Sequence, residues 1–186
     1  MNFPEDLYIH TQAGRFYPAK PVWNIEAAAH SLAQTARYGG NCDEQYSVAE
    51  HSVLVAGLMN ALNLGNPLEG LLHDLSEHVS TDVVSPYKPH LPDMVAMQTY
   101  FDRSWRAQYA LPLEQTLGCH RADQIALFIE TAQLLPERGA DFPDPLDVRK
   151  VALELREKGG LALRCFSWRA AKAAFLDSYM SIITHA

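Results

Sequence analysis

The stretch Asn66-Pro67-Leu68-Glu69-Gly70-Leu71-Leu72-His73-Asp74-Leu75-Ser76-Glu77-His78-Val79 decides the fold class. Asn66 is a helix-capping residue, and Pro67 stands at the first helical position, where no amide donor is needed. At about 100° per residue, Leu68, Leu71, Leu72, Leu75 and Val79 fall on one apolar face, while Gly70, His73, Asp74 and Glu77 share the opposite arc. The spacing predicts one amphipathic helix running to about Val79. Polar arcs of this kind usually face solvent. Here the arc collects two kinds of metal ligand and a further carboxylate. It also includes Gly70, which costs about 1 kcal/mol of helix stability relative to alanine and makes more sense beside a crowded site than in water.

Upstream of this stretch, Ser47-Val48-Ala49-Glu50 fits a capping box, in which the serine accepts from the glutamate amide and the glutamate reaches back to the serine amide. His51 then lies in the first turn, on a stripe with Leu54, Val55, Leu58 and Leu62, and points into the core. A lone histidine there reads as a core residue satisfied by one hydrogen bond. Asn24 caps an earlier helix through Ile25, Ala28, Ala29, Leu32 and Ala36, which Gly39-Gly40 ends. Residues 1 to 23 mix Pro4, Gly14, Pro18 and Pro21 with Tyr8, Phe16, Tyr17 and Trp23, the composition of an irregular or short-stranded arm packed onto the domain.

Downstream, residues 80 to 92 hold Pro86, Pro89 and Pro92 and read as an ordered loop. Helices resume over 93 to 109, 113 to 135, 146 to 157 and 167 to 183. In the third of these stretches from the end, Ile125, Phe128, Ile129, Ala132 and Leu135 form the main stripe, and Leu127 and Leu134 flank Asp123, so that helix is apolar almost all round. Spacing alone makes Asp123 a surface carboxylate. No segment alternates with period two, so the class is all-α. The expected organisation is one helical-bundle domain over 1 to 186, with an arm (1 to 23), a core (24 to 135) and C-terminal helices (136 to 186).

The chain has 186 residues, enough to bury a substantial core, and 15 Lys and Arg against 22 Asp and Glu give a net charge of -7. That field repels polymeric nucleic acid and anionic membranes, while local cations and a metal still admit a small phosphorylated molecule. Cys42, Cys119 and Cys165 form no C-x-x-C pair and read as reduced packing residues. With no basic and apolar leader at Met1 to His10 and no apolar run of about 20 residues, the expectation is a cytoplasmic protein. Phe16, Tyr17, Trp23 and Trp105 either cover an interface in a homo-oligomer or fill the core.

Imidazole and carboxylate together suit a borderline divalent ion such as Co, Mn, Zn, Fe or Ni, with Mg less natural for nitrogen donors. The order His51, then His73-Asp74, then Asp123 resembles the H…HD…D signature of the HD-domain metal-dependent phosphohydrolases. The strings Val48-Ala49-Glu50-His51-Ser52 and His73-Asp74-Leu75-Ser76-Glu77, followed by Asp82 and Lys88, are similar to short bacterial deoxyribonucleoside 5'-monophosphatases. They are equally similar to phage-encoded HD proteins, some of them deoxynucleoside triphosphohydrolases. The similarity spans roughly residues 24 to 135.

The resemblance implies that His51, His73, Asp74 and Asp123 hold the metal and that Glu77 is the catalytic carboxylate. It places Arg37, Asp82 and Lys88 against sugar or phosphate, and Tyr38 beside the nucleoside, where relatives often have Trp. His120, one turn before Asp123, is a further candidate contact together with Arg121. Taken singly, Arg37, Lys88 and Arg121 are ordinary surface charges. The activity implied is hydrolysis of phosphate from deoxynucleotides by metal-activated water, with mono- and triphosphate both open. Cyclic nucleotide phosphodiesterase activity and a non-catalytic HD regulatory module are the alternatives.

Overall fold

A computed structural model describes residues 1–136, 150–151, 153–155 and 163–185. The class is all-α: the described strands are β1 (Ile9–Thr11) and β2 (Gly14–Phe16), which make one antiparallel hairpin pairing Ile9 with Phe16 and Thr11 with Gly14. The helices are α1 (Ile25–Leu32), α2 (Val48–Ala61), α3 (Pro67–Leu72), α4 (Glu77–Ser80), α5 (Pro92–Gln108), α6 (Leu117–Leu134) and α7 (Trp168–Thr184). Two 3-10 turns, Arg37–Gly40 and Ser85–His90, lie between them. Most of the helix expected over 146 to 157 lies outside the described residues.

The helix starts follow from their caps. Asn24 accepts from the Ala27 amide at 2.9 Å, and Asn66 accepts from the Leu68 amide at 3.0 Å with Pro67 leading the helix. Ser47 and Glu50 form the full capping box. Glu50 does more than cap, because its other oxygen accepts from the Phe166 amide at 2.6 Å and fastens the segment before α7 to the start of α2.

Three expected boundaries are corrected. α1 stops at Leu32 rather than running to Ala36, because Ala36 and Ser47 pair as an isolated antiparallel bridge and pull the chain out of the helix. α6 begins at Leu117 rather than at residue 113, where Thr116 supplies the cap by accepting from the Cys119 amide at 3.2 Å. The single helix expected from Pro67 to Val79 is two. Between Leu72 and Glu77 the amides of Leu75, Glu77 and His78 bond three residues back rather than four, a tighter 3-10 winding.

One core cluster joins Leu71, Leu72 and Leu75 to Leu32, Trp105, Phe101 and Phe175, so α1, α3, α5 and α7 close on one another. The arm packs onto it: Phe16, Trp23 and Phe3 all touch the Phe101 ring, with centroids 5.7 to 5.9 Å apart. Phe16, Trp23 and Trp105 are therefore core residues, while Tyr17 stays exposed. A second cluster, with Val55, Leu58 and Met59 of α2 against Cys119, Ala122, Ile125, Ala126 and Ile129, seats α6 along α2. The buried face of α6 is turned from the expected stripe, leaving Phe128 and Ala132 half-buried and Ala122, Ala126 and Glu130 inside.

Gly70 owes its place to helix packing. A Cβ there would meet Met59 Sδ at 2.7 Å and the Ala56 backbone at 3.2 Å, so a bare residue is needed where α3 crosses α2. Glu69 beside it is buried and fully partnered: it accepts from Arg106 Nη1 of α5 at 2.9 Å and from both the amide and hydroxyl of Thr116 at 2.9 and 2.7 Å. This knot fixes the relative positions of α3, α5 and the start of α6. Among the described residues, no helix is long and apolar enough to cross a membrane.

Candidate metal centre and cleft

His51 comes from the first turn of α2, His73 and Asp74 from the 3-10 passage after α3, and Asp123 from the second turn of α6. Packing of α3 and α6 on α2 brings all four together. The two Nε2 atoms are 3.1 Å apart; His51 Nε2 is 3.1 Å from Asp123 Oδ1 and 3.6 Å from Asp74 Oδ2, and His73 Nε2 is 3.2 Å from Asp74 Oδ2 and 3.8 Å from Asp123 Oδ1. Donors bound at about 2.1 Å to one ion lie roughly 3.0–3.4 Å apart at tetrahedral or right angles. Three of the five separations fall within that range and two lie a few tenths of an ångström above it, and the donor atoms of His51, His73 and Asp74 all lie within 4.8 Å of one another.

The far side of each imidazole decides what its near side offers. His51 Nδ1 donates to Glu130 Oε1 at 2.6 Å, and His73 Nδ1 donates to the Gly70 carbonyl at 2.8 Å. With the proton on Nδ1, a neutral ring presents a bare lone pair at Nε2. Two such lone pairs face each other at 3.1 Å, an arrangement that repels unless a proton or a cation stands between them. In the absence of a cation, burial pushes His51 down, but Glu130 and Asp123 outweigh it and hold the ring up at about 9. His73 is raised likewise, by Asp74 against burial. Burial works the other way on Asp74, yet His73, His51 and Arg37 keep it well below the usual carboxylate range.

This pair of nitrogens and carboxylates is the donor set a borderline divalent cation takes, and both imidazoles are nearly or fully buried while Asp74 and Asp123 reach outward. They reach into a cleft of about 490 Å³ whose walls include Arg37, Tyr38, Glu77, Asp82, Lys88 and Leu127. Nine of the eleven residues singled out from the sequence are therefore at the donor cluster or in the cleft. The other two are His120, whose side chain is exposed, and Arg121; neither lines the cleft.

No model of a known protein family matches the chain. Over 151 residues it is 34% identical to an uncharacterized protein of Rhodobacter capsulatus, RCAP_rcc00048, which takes in 71% of this chain and 76% of that protein. The chain belongs to the RCAP_rcc00048 family. It is also 33% identical over 119 residues to the uncharacterized protein YfdR of Escherichia coli, covering 64% of this chain and 65% of YfdR.

In this member of the RCAP_rcc00048 family, Glu77 opens α4 with a nearly buried side chain, and its Oε2 has no hydrogen-bond partner among the described residues. Burial, followed by the charges of Asp74 and Asp82, lifts its carboxyl well above the usual range. Burial also lifts Asp82. Arg37 is held at Nε by Glu130 at 3.1 Å and at Nη1 by Asp74 at 3.7 Å, so it is a fixed charge in the cleft wall rather than a mobile surface one.

Glu130 is the residue that sequence reasoning missed. It is fully buried, accepts from Arg37, from the Tyr38 hydroxyl at 2.8 Å and from His51, and is lowered by Arg37 and His51 against the push of burial. A signal was present: Glu130 follows Asp123 by two helical turns and is a lone charge inside an otherwise apolar run, Ile125 to Ala132.

Proposed function

We propose that this protein is a metal-dependent phosphohydrolase acting on nucleotides, with His51, His73, Asp74 and Asp123 as metal ligands. The observation that carries the reading is the pair of imidazole nitrogens, 3.1 Å apart with both protons directed elsewhere, opening between two aspartates onto a cleft. A divalent cation held there supplies a Lewis acid for a phosphoryl oxygen and lowers the pKa of attacking water.

The charges in the cleft support the same reading. Four carboxyl groups (Asp74, Glu77, Asp82, Asp123), of which Asp74 and Asp123 are held below the usual carboxylate range, face two cations (Arg37, Lys88), so the negative charge in the cleft repels an anionic ester until a divalent ion offsets it. Arg37 and Lys88 then sit where they stabilise charge on phosphoryl oxygens. Glu77, whose Oε2 has no partner among the described residues and whose carboxyl is pushed toward its protonated form by burial, donates to the leaving oxygen and takes a proton back from water. Tyr38, Val84, Pro86 and Leu127 provide apolar surface for a sugar and base, and a volume of about 490 Å³ lies within the usual range for small-molecule sites.

The test is a panel of deoxynucleoside mono- and triphosphates, ribonucleotides and cyclic nucleotides, each with Co, Mn, Ni, Zn, Fe or Mg, with the released product identified. Orthophosphate marks a monophosphatase and tripolyphosphate a triphosphohydrolase. A protein that binds metal but turns over none of them is a binding module instead, and one that retains no metal at all defeats the reading.

A further inference from the structure

We propose that Glu130 is the positioning residue of this centre, fixing the tautomer of His51 and tying it mechanically to the cleft wall formed by Arg37 and Tyr38. The inference rests on the metal-binding reading above. Glu130 spends both oxygens: Oε1 accepts from His51 Nδ1, and Oε2 accepts from Arg37 Nε and Tyr38 Oη. A carboxylate offers only acceptors, so all three partners must donate. In the neutral ring the proton is thereby confined to Nδ1, and Nε2 is the atom left to ligate.

An amide in the same place cannot serve both sides. Arg37 Nε–H and Tyr38 O–H require an oxygen, which directs the amide NH2 at His51 Nδ1. The ring must then carry its proton on Nε2, the atom that faces His73 at 3.1 Å. The same carboxylate also steadies the turn it touches. Tyr38 has φ 56°, a left-handed conformation that is strained for a non-glycine residue. The turn is held by the Tyr38 hydroxyl on Glu130 and by the Asn41 amide on the Tyr38 carbonyl at 3.0 Å. A ligand that draws on Arg37 or Tyr38 therefore acts on His51 through one rigid carboxylate, and metal occupancy acts back on the wall by the same route.

The experiment titrates Co2+ into the metal-free full chain, wild type beside Glu130→Gln, Glu130→Ala and Tyr38→Phe. It reads the visible cobalt spectrum for affinity and a circular-dichroism melt of each metal-free protein for folding. Expected is a loss of about 10–100-fold in Co2+ affinity for both Glu130 variants, with metal-free Glu130→Gln still melting cooperatively. Tyr38→Phe, which touches no ligand, should lose affinity by a smaller factor, above about twofold. A wild type that binds no Co2+ removes the metal reading and this inference together. Tight binding by the wild type and equally tight binding by Glu130→Gln overturns the positioning role alone. Should Glu130→Gln fail to fold, Tyr38→Phe decides, and unchanged affinity there overturns the coupling.

Discussion

Glu77 is the residue on which turnover, rather than binding, should depend. It lies three residues beyond Asp74 in a tightly wound passage where such neighbours eclipse, so its carboxyl shares the cleft with the ligands without being one of them. Glu77→Gln should keep its metal, measured by elemental analysis, and lose about 10²–10⁴-fold in turnover; full activity in a metal-loaded variant would remove it from this role. His78, its neighbour, is pushed down to about 4, first by burial and then by the charge of His30. The fold thus prefers the neutral ring, while the unfolded chain takes up a proton near pH 6.5 (about that of a free imidazole). The sign follows: this contribution is complete above that pH and is lost as pH falls toward 4. In urea melts from pH 7 to 4, the stability gap between wild type and His78→Gln should shift against the wild type on acidification; a constant gap would contradict it. The four proposed ligands were legible only as a set: His51, His73 and Asp74 fall in short strings with caps beside them, while Asp123, a surface carboxylate by its spacing, entered through the resemblance. Glu130 was not read: its place as a lone charge in an apolar stretch was a cue, but its role is set by the partners arriving from α2 and the Arg37 turn.

At the scale of elements, the knot of Glu69, Arg106 and Thr116 holds three helices in register. Arg106→Ala leaves a buried carboxylate short of its charge partner and should destabilise the protein by about 3–5 kcal/mol, measured by chemical denaturation; a loss below about 1 kcal/mol would show that the pair is idle. Gly70→Ala should cost about 1–3 kcal/mol through overpacking against the Ala56 backbone. The helix starts at Asn24, Ser47 and Asn66 were readable since capping is a local exchange between a side chain and amides two or three residues on. The ends were harder. α1 is cut short by a bridge to a residue eleven positions away, and the break after Leu72 is a change of winding that leaves the apolar spacing almost intact. Both are imposed by partners that a periodicity count does not include.

The molecule as a whole should respond to metal as a folding ligand. A cation present at about 100 times its dissociation constant adds about 2.7 kcal/mol to stability, which for a chain of this size is a rise in Tm of about 5–10 °C. Thermal melts with Co, Mn, Ni and Zn, each reversed by chelator, check this, and a melt indifferent to every metal would speak against the centre. The proposed donors come from widely separated parts of the chain, with His51 and Asp123 standing 72 residues apart. This has a bearing on the order of events during synthesis. A nascent chain halted before α6 emerges from the ribosome already displays both imidazoles and Asp74, but lacks Asp123 and Glu130. If the proposed centre binds metal, such a chain would be a poor competitor for it, and loading would wait until the last wall is in place.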